Sequence, residues 1–120
     1  MLVFDSFAWV EYFAGSKKGE KVRDFVEDNK TIYTPSICLT EISAKYLREN
    51  EDPITRIKFI EKRSITVSPD SEIALLAGQI KIEKKLHTTD AIIYATGVKK
   101  EGHVVTGDPH FQGLDKVIML

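Results

Sequence analysis

The stretch Thr89-Asp90-Ala91-Ile92-Ile93-Tyr94-Ala95-Thr96-Gly97-Val98-Lys99-Lys100-Glu101-Gly102-His103-Val104-Val105-Thr106-Gly107-Asp108 decides the fold. Thr89 and Asp90 open a helix whose body, Ala91 to Val98, is apolar at nearly every position. Such a helix is buried on most of its sides. Lys99 and Lys100 stand in its last turn, where cations complement the helix dipole. Gly102 is a C-terminal stop. His103 to Thr106 then reads as a short apolar strand, with Asp108 just beyond it. A buried helix leading straight into an apolar strand is a building unit of a parallel sheet.

Strands and helices alternate upstream of this stretch, and one more strand follows it. Upstream, Met1 to Phe4 reads as a buried strand ending at Asp5, followed by helical turns over Ser6 to Phe13. Lys17 to Asn29 carries Val22, Phe25 and Val26 at helical spacing among charges. Thr31 to Thr34 is a second strand. Ser36 is the expected N-cap of a helix running to Asn50, with Leu39, Ile42 and Tyr46 on its apolar stripe. Asp52-Pro53 restarts a helix to about Arg63, and Ile65 to Val67 is a third strand. Ser68-Pro69 reads as the start of a helix that ends near Leu86. Downstream, Lys116 to Leu120 makes a fifth strand. The alternation predicts an α/β fold of three layers, α/β/α, with a central parallel sheet of about four to five strands. One domain over residues 1–120 is the natural count at this length.

Composition bounds the class. Apolar residues make up 42% and charged residues 29%, which is ordinary globular usage and excludes a mostly disordered chain. Cys38 is the single cysteine, so an internal disulfide framework and a cysteine-cluster zinc site are excluded. Flanked by Ile37 and Leu39, it reads as a small buried hydrophobe. No apolar run approaches the roughly 18 residues of a membrane span. The first residues lack a basic segment before an apolar one, so no signal peptide is expected, and a cytoplasmic location is the default expectation.

In an open parallel sheet, sites form beyond the carboxyl ends of the strands, where strand order reverses. Asp5 ends the first strand and Asp108 follows the fourth. Asp90 opens the buried helix, and a right-handed crossover puts that helix end at the same sheet edge. Glu41 lies one turn into the helix after the second strand, against an apolar stripe. Each acid also has an ordinary explanation. Asp5 can cap a helix, Glu41 can pair with Lys45 at i,i+4, Asp90 can complement a dipole, and Asp108 can make a turn before Pro109. None of these explains why all four fall where one edge gathers them.

Gathered carboxylates repel one another, and a hard divalent cation relieves that repulsion. Oxygen donors favour Mg²⁺ or Mn²⁺ over zinc. Such an ion lowers the pKa of a bound water and neutralises a phosphodiester. Ser6 and Thr106 are hydroxyl residues beside two of the acids, placed to hydrogen-bond a carboxylate or a metal-bound water. Lys45 and Arg48 follow Glu41 on its own helical stripe, where they can meet phosphates or serve as ordinary solvated helix charges. Lys81, Lys84 and Lys85 form another basic set. His110 invites a general-acid role, but a turn histidine is the simpler reading, and His87 and His103 offer less. Trp9, Tyr12 and Phe13 read as packing residues rather than base-stacking platforms.

Four strings carry a resemblance: Leu2-Val3-Phe4-Asp5-Ser6, Glu41 within Ser36 to Ile42, Thr89-Asp90-Ala91-Ile92-Ile93-Tyr94-Ala95-Thr96, and Val104-Val105-Thr106-Gly107-Asp108-Pro109-His110-Phe111. In order and spacing they resemble the motifs of the PIN-domain family, and within it the compact VapC-type toxin ribonucleases. The resemblance covers essentially the whole chain. It implies a metal-dependent endoribonuclease in which Asp5, Glu41, Asp90 and Asp108 are the catalytic and metal-binding residues, with one or two Mg²⁺ or Mn²⁺ ions. It also implies hydrolysis of RNA by activated water, a homodimer, and a small antitoxin partner. One departure stands out: Phe7 occupies a position where related sequences often carry a small polar residue.

Two other readings use the same residues. A receiver-like phospho-signalling module needs an acidic pair at the first strand, a mid-chain acceptor Asp after a strand, and a late Lys after another. Here Asp5 stands alone, Asp52 lies between helices, and Lys99-Lys100 end a helix. A catalytically silent binding domain keeps the fold without the chemistry, yet all four acids are present. The net charge of −1 does not exclude an RNA substrate. Without the four site acids, 14 of the 18 acidic residues face 17 basic ones. That balance is a negative pocket in a mildly basic surface.

Overall fold

A computed structural model describes residues 1–120. Five parallel strands form one sheet in the order β3-β2-β1-β4-β5. They are β1 (Leu2–Phe4), β2 (Ile32–Pro35), β3 (Ile65–Val67), β4 (His103–Thr106) and β5 (Val117–Met119). The helices are α1 (Ser6–Ala14), α2 (Lys17–Glu27), α3 (Ser36–Arg48), α4 (Ile54–Arg63), α5 (Ser71–Lys84) and α6 (Thr88–Lys99). This is the three-layer α/β/α arrangement read from the sequence.

Strand pleating sorts the core. Leu2, Phe4 and Val105 point to one face, where they meet Trp9, Val22, Ile42 and Ile60 from α1 to α4. Val3 and Val104 point to the other face and meet Ile73, Ala77, Ile93 and Ala95 from α5 and α6. Successive strand side chains alternate sides, so three or four residues per strand suffice to bind both layers. Helix α6 buries Ala91 and Ile93 to Gly97, as its composition requires, and only Val98 of its apolar body is exposed. Strand β3 is an edge strand, with Ile65 and Thr66 exposed.

Two expected helix starts move. Pairing with Val67 draws Pro35 into β2, and Pro35 then occupies the N-cap position of α3, so Ser36 is the first helical residue and not the cap. Helix α5 begins after Asp70, not at Ser68-Pro69. The Asp70 carboxylate accepts the Ile73 N–H at 2.9 Å and the Lys99 ammonium at 3.0 Å. A carboxylate that accepts both a backbone N–H and an ammonium makes a stronger cap than a lone Ser hydroxyl.

The chain runs β1, β2, β3 outward on one side, then returns through α5 and α6 to place β4 on the other side of β1. The switch point therefore lies between β1 and β4, at the edge where Asp5 and Asp108 emerge.

Candidate functional site

Each acid is delivered to this edge by a local feature. Asp5 follows β1 in extended backbone and caps α1, its Oδ1 accepting the Ala8 N–H at 2.9 Å. Its Oδ2 accepts the Thr106 hydroxyl from the end of β4. The same Thr106 oxygen accepts the Asp108 N–H at 3.0 Å, so one hydroxyl ties two of the acids together. Asp108 caps the 3₁₀ turn Pro109–Phe111, accepting the His110 N–H at 2.9 Å. Asp90 stands in the first turn of α6. Glu41 projects from α3 and accepts the Ser6 hydroxyl at 2.9 Å.

Asp5, Glu41, Asp90 and Asp108 line one cleft of about 380 Å³, together with Ser6, Phe7, Val10, Lys45, Ile93 and Pro109. A tighter cavity of about 240 Å³ lies away from it, beside the start of β4, and gathers no such set of acids. Asp5 is only 4% exposed. Burial pushes its carboxyl up to about 7, and the charges of Asp108 and Glu41 push the same way, against the Thr106 and Ala8 hydrogen bonds. Asp90 is also raised, first by burial and then by Asp108, while His110 pulls it down. Cys38 beneath the site is fully buried, and burial, Asp5 and Glu41 push its thiol well above the ordinary range, as suits a packing residue.

The donor set fits a hard cation. Four carboxylates converge on one cleft, one of them held toward its neutral form first by burial and then by the charges of Asp108 and Glu41. A divalent ion is the ligand that reverses that penalty. Asp5, Glu41, Asp90 and Asp108 supply oxygen donors. One ligand atom each from Asp90, Asp108 and His110 lie within 4.8 Å of one another, so this corner is the most closely set.

The ordinary explanations fare unequally. Asp5 and Asp108 do cap, and they line the cleft as well. The Glu41–Lys45 pair does not form: Lys45 reaches forward to Glu49 at 2.6 and 2.9 Å, leaving Glu41 to Ser6 and the cleft. Lys45 lines the cleft, whereas Arg48 lies on the exposed end of α3 and does not. Trp9 is in the core, with its indole N–H on Thr34. Two residues singled out in the sequence, His110 and Phe7, find their places here. His110 folds back so that its Nδ1 meets Asp108 Oδ1 at 2.8 Å, and an Asp-Pro-His turn was the available signal. Phe7 with Val10, at i,i+3 on α1, forms an apolar wall of the cleft.

Solved structures share this fold. A toxin–antitoxin complex from Klebsiella pneumoniae superposes with a TM-score of 0.84 at 19% identity, over 99% of this chain and 97% of that chain. VapC20 of Mycobacterium tuberculosis, a sarcin-ricin loop cleaving toxin, gives 0.78 at 14% identity, over 98% and 97%. VapBC2 from Rickettsia felis, bound to a DNA fragment from its promoter, gives 0.77 at 13% identity, over 99% and 96%. No curated protein matches the chain by sequence. No helix is long and apolar enough to cross a membrane. The sequence pattern of the PIN domain spans residues 2–117, from the first strand to the fifth, and this chain belongs to the PIN-domain family.

Proposed function

We propose that the protein is a metal-dependent endoribonuclease, the toxin of a toxin–antitoxin pair. The observation that carries the reading is Asp5. A carboxylate this buried, facing three others across a cleft, is costly unless a cation joins it. Asp5, Glu41, Asp90 and Asp108 would hold Mg²⁺ or Mn²⁺. When bound, that ion supplies charge neutralisation at a phosphodiester and a water of lowered pKa.

The chain's own residues then have distinct tasks. Thr106 and the Ala8 N–H hold Asp5 in one rotamer. Ser6 orients Glu41. Lys45, at the rim, offers a cation to an incoming phosphate. The solved structures of like fold include toxin–antitoxin complexes and a sarcin-ricin loop cleaving toxin, which supports an RNA substrate and an antitoxin partner here. The same reading makes the protein a cytoplasmic homodimer, and a protomer mass in solution overturns that part alone.

The test is cleavage of RNA with Mg²⁺, with Mn²⁺ and with chelator, by the wild type, Asp5→Asn and Asp90→Asn. Metal-dependent cleavage by the wild type alone supports the assignment. Equal cleavage by all three proteins removes it.

A further inference from the structure

Phe7 is the aromatic residue of α1 that does not join the core. Trp9, Tyr12 and Phe13 pack among themselves and on Phe59, with ring centroids 5.4 to 6.3 Å apart. Phe7 instead turns to the cleft and lines it beside the carboxylates, half-buried. Gly107, between Thr106 and Asp108, makes room for it. A Cβ there would stand 2.2 to 2.8 Å from Cε1, Cζ and Cδ1 of the ring, so one edge of Phe7 rests on bare backbone. Lys18 Nζ lies over the ring at 5.4 Å from its centroid. Lys18 is exposed and forms no ion pair, unlike Lys45 and Lys99.

We propose that Phe7 is the base-contact wall of the cleft, on which the base next to the reacting phosphate stacks, with Lys18 meeting a neighbouring phosphate. The inference rests on the ribonuclease reading and adds to it a base contact at Phe7. Every base has a π-face, so an aromatic wall is sequence-tolerant, but it demands a base free of its own helix. Phe7 stands two residues from Asp5, so a phosphate at the acids brings an adjacent base within its reach. A ring seated on Gly107 is already ordered before substrate arrives, which lowers the entropy cost of stacking.

A single-stranded decaribonucleotide carrying 2-aminopurine reports the contact, because stacking quenches its fluorescence. Binding is measured under Ca²⁺ and turnover under Mg²⁺, for the wild type, Phe7→Leu and Phe7→Tyr. Phe7→Leu keeps an apolar side chain on Gly107 and removes the π-face. We expect it to weaken binding about tenfold and to abolish the quench, raising KM with little change in kcat. Phe7→Tyr should keep both the affinity and the quench. The same strand annealed to its complement should bind more weakly than the single strand. Unchanged quench and KM in Phe7→Leu overturn this inference and leave the ribonuclease reading standing. Failure of the wild type to bind or cleave any RNA takes down both.

Discussion

On its inner side, α1 buries Ala8 and Trp9 completely. The Trp9 ring meets Phe4 edge-on at 4.9 Å, and its indole N–H donates to Thr34 at 3.0 Å. Thr34 and Ser64 share a hydrogen bond at 2.8 Å, and Ser64 donates to the Ile60 carbonyl at 2.7 Å. Every polar group in that thread has a partner. On its outer side, the same helix begins at a buried carboxylate and presents Ser6, Phe7 and Val10 to a cleft of acids. The inner side lowers the free energy of the fold. The outer side raises it, by gathering like charges and leaving an aromatic ring half in water. A protein keeps such a region because the cost is recovered on binding, and strained groups cluster at functional sites for that reason.

The sharpest break of this contrast is chemical. Asp90→Asn should lower RNA cleavage on the order of a thousandfold, the several kcal/mol that a misplaced metal forfeits. Its unfolding midpoint in the absence of metal should hold or rise. A midpoint that falls with activity would place Asp90 among the structural acids instead. The converse change is Trp9→Ala, expected to destabilise by about 3–5 kcal/mol in urea unfolding, with loss of activity only as the fold is lost.

Next in size is the pH dependence of the metal-free protein. The Asp5 carboxyl is raised from 3.8 to about 7, so the folded state holds its proton more tightly than the unfolded chain does. The stability this contributes is fully present below the unfolded value and is lost as pH rises through about 7. Spread over that window, the loss is roughly 4 kcal/mol at most, at about 1.4 kcal/mol per pH unit. Asp5→Asn should flatten this dependence, and Mg²⁺ should restore wild-type stability at pH 8. An identical pH profile in the variant would show that Asp5 does not carry the charge penalty.

The smallest effect has the opposite slope. Asp70 caps α5, and the Ile73 N–H with Lys99 holds its carboxyl below the ordinary range. Its contribution is present above the unfolded value and lost as pH falls through the lowered one. Asp70→Ala should cause a modest fall in melting temperature at pH 7 that vanishes in acid, with cleavage untouched. A change in cleavage would link the α5–α6 pair to the site.

Much of this was legible because it depends on local pattern. The buried helix α6 and the strand after it follow from an apolar run closed by lysines and a glycine. Asp5 and Asp108 could be placed because a residue just beyond a parallel strand has little choice of edge. The misread helix starts have a common cause. At Ser36 and at Ser68-Pro69, a serine offered a cap, but a partner distant in sequence decided otherwise: Val67 by pairing with Pro35, and Lys99 by reaching Asp70.

Element types, the alternation of strand and helix, and the acids at one sheet edge are properties of short segments, and the order of residues along the chain carries them. Side-chain partners are not. Lys45 had two acids within a helical turn and took Glu49, because Glu41 was claimed by Ser6 from another helix. Thr106 joins Asp5 to Asp108 only because β4 lies beside β1. Phe7 faces the cleft only because residue 107 has no side chain to stop it. Those choices turn on distances between segments far apart in sequence, which only packing sets.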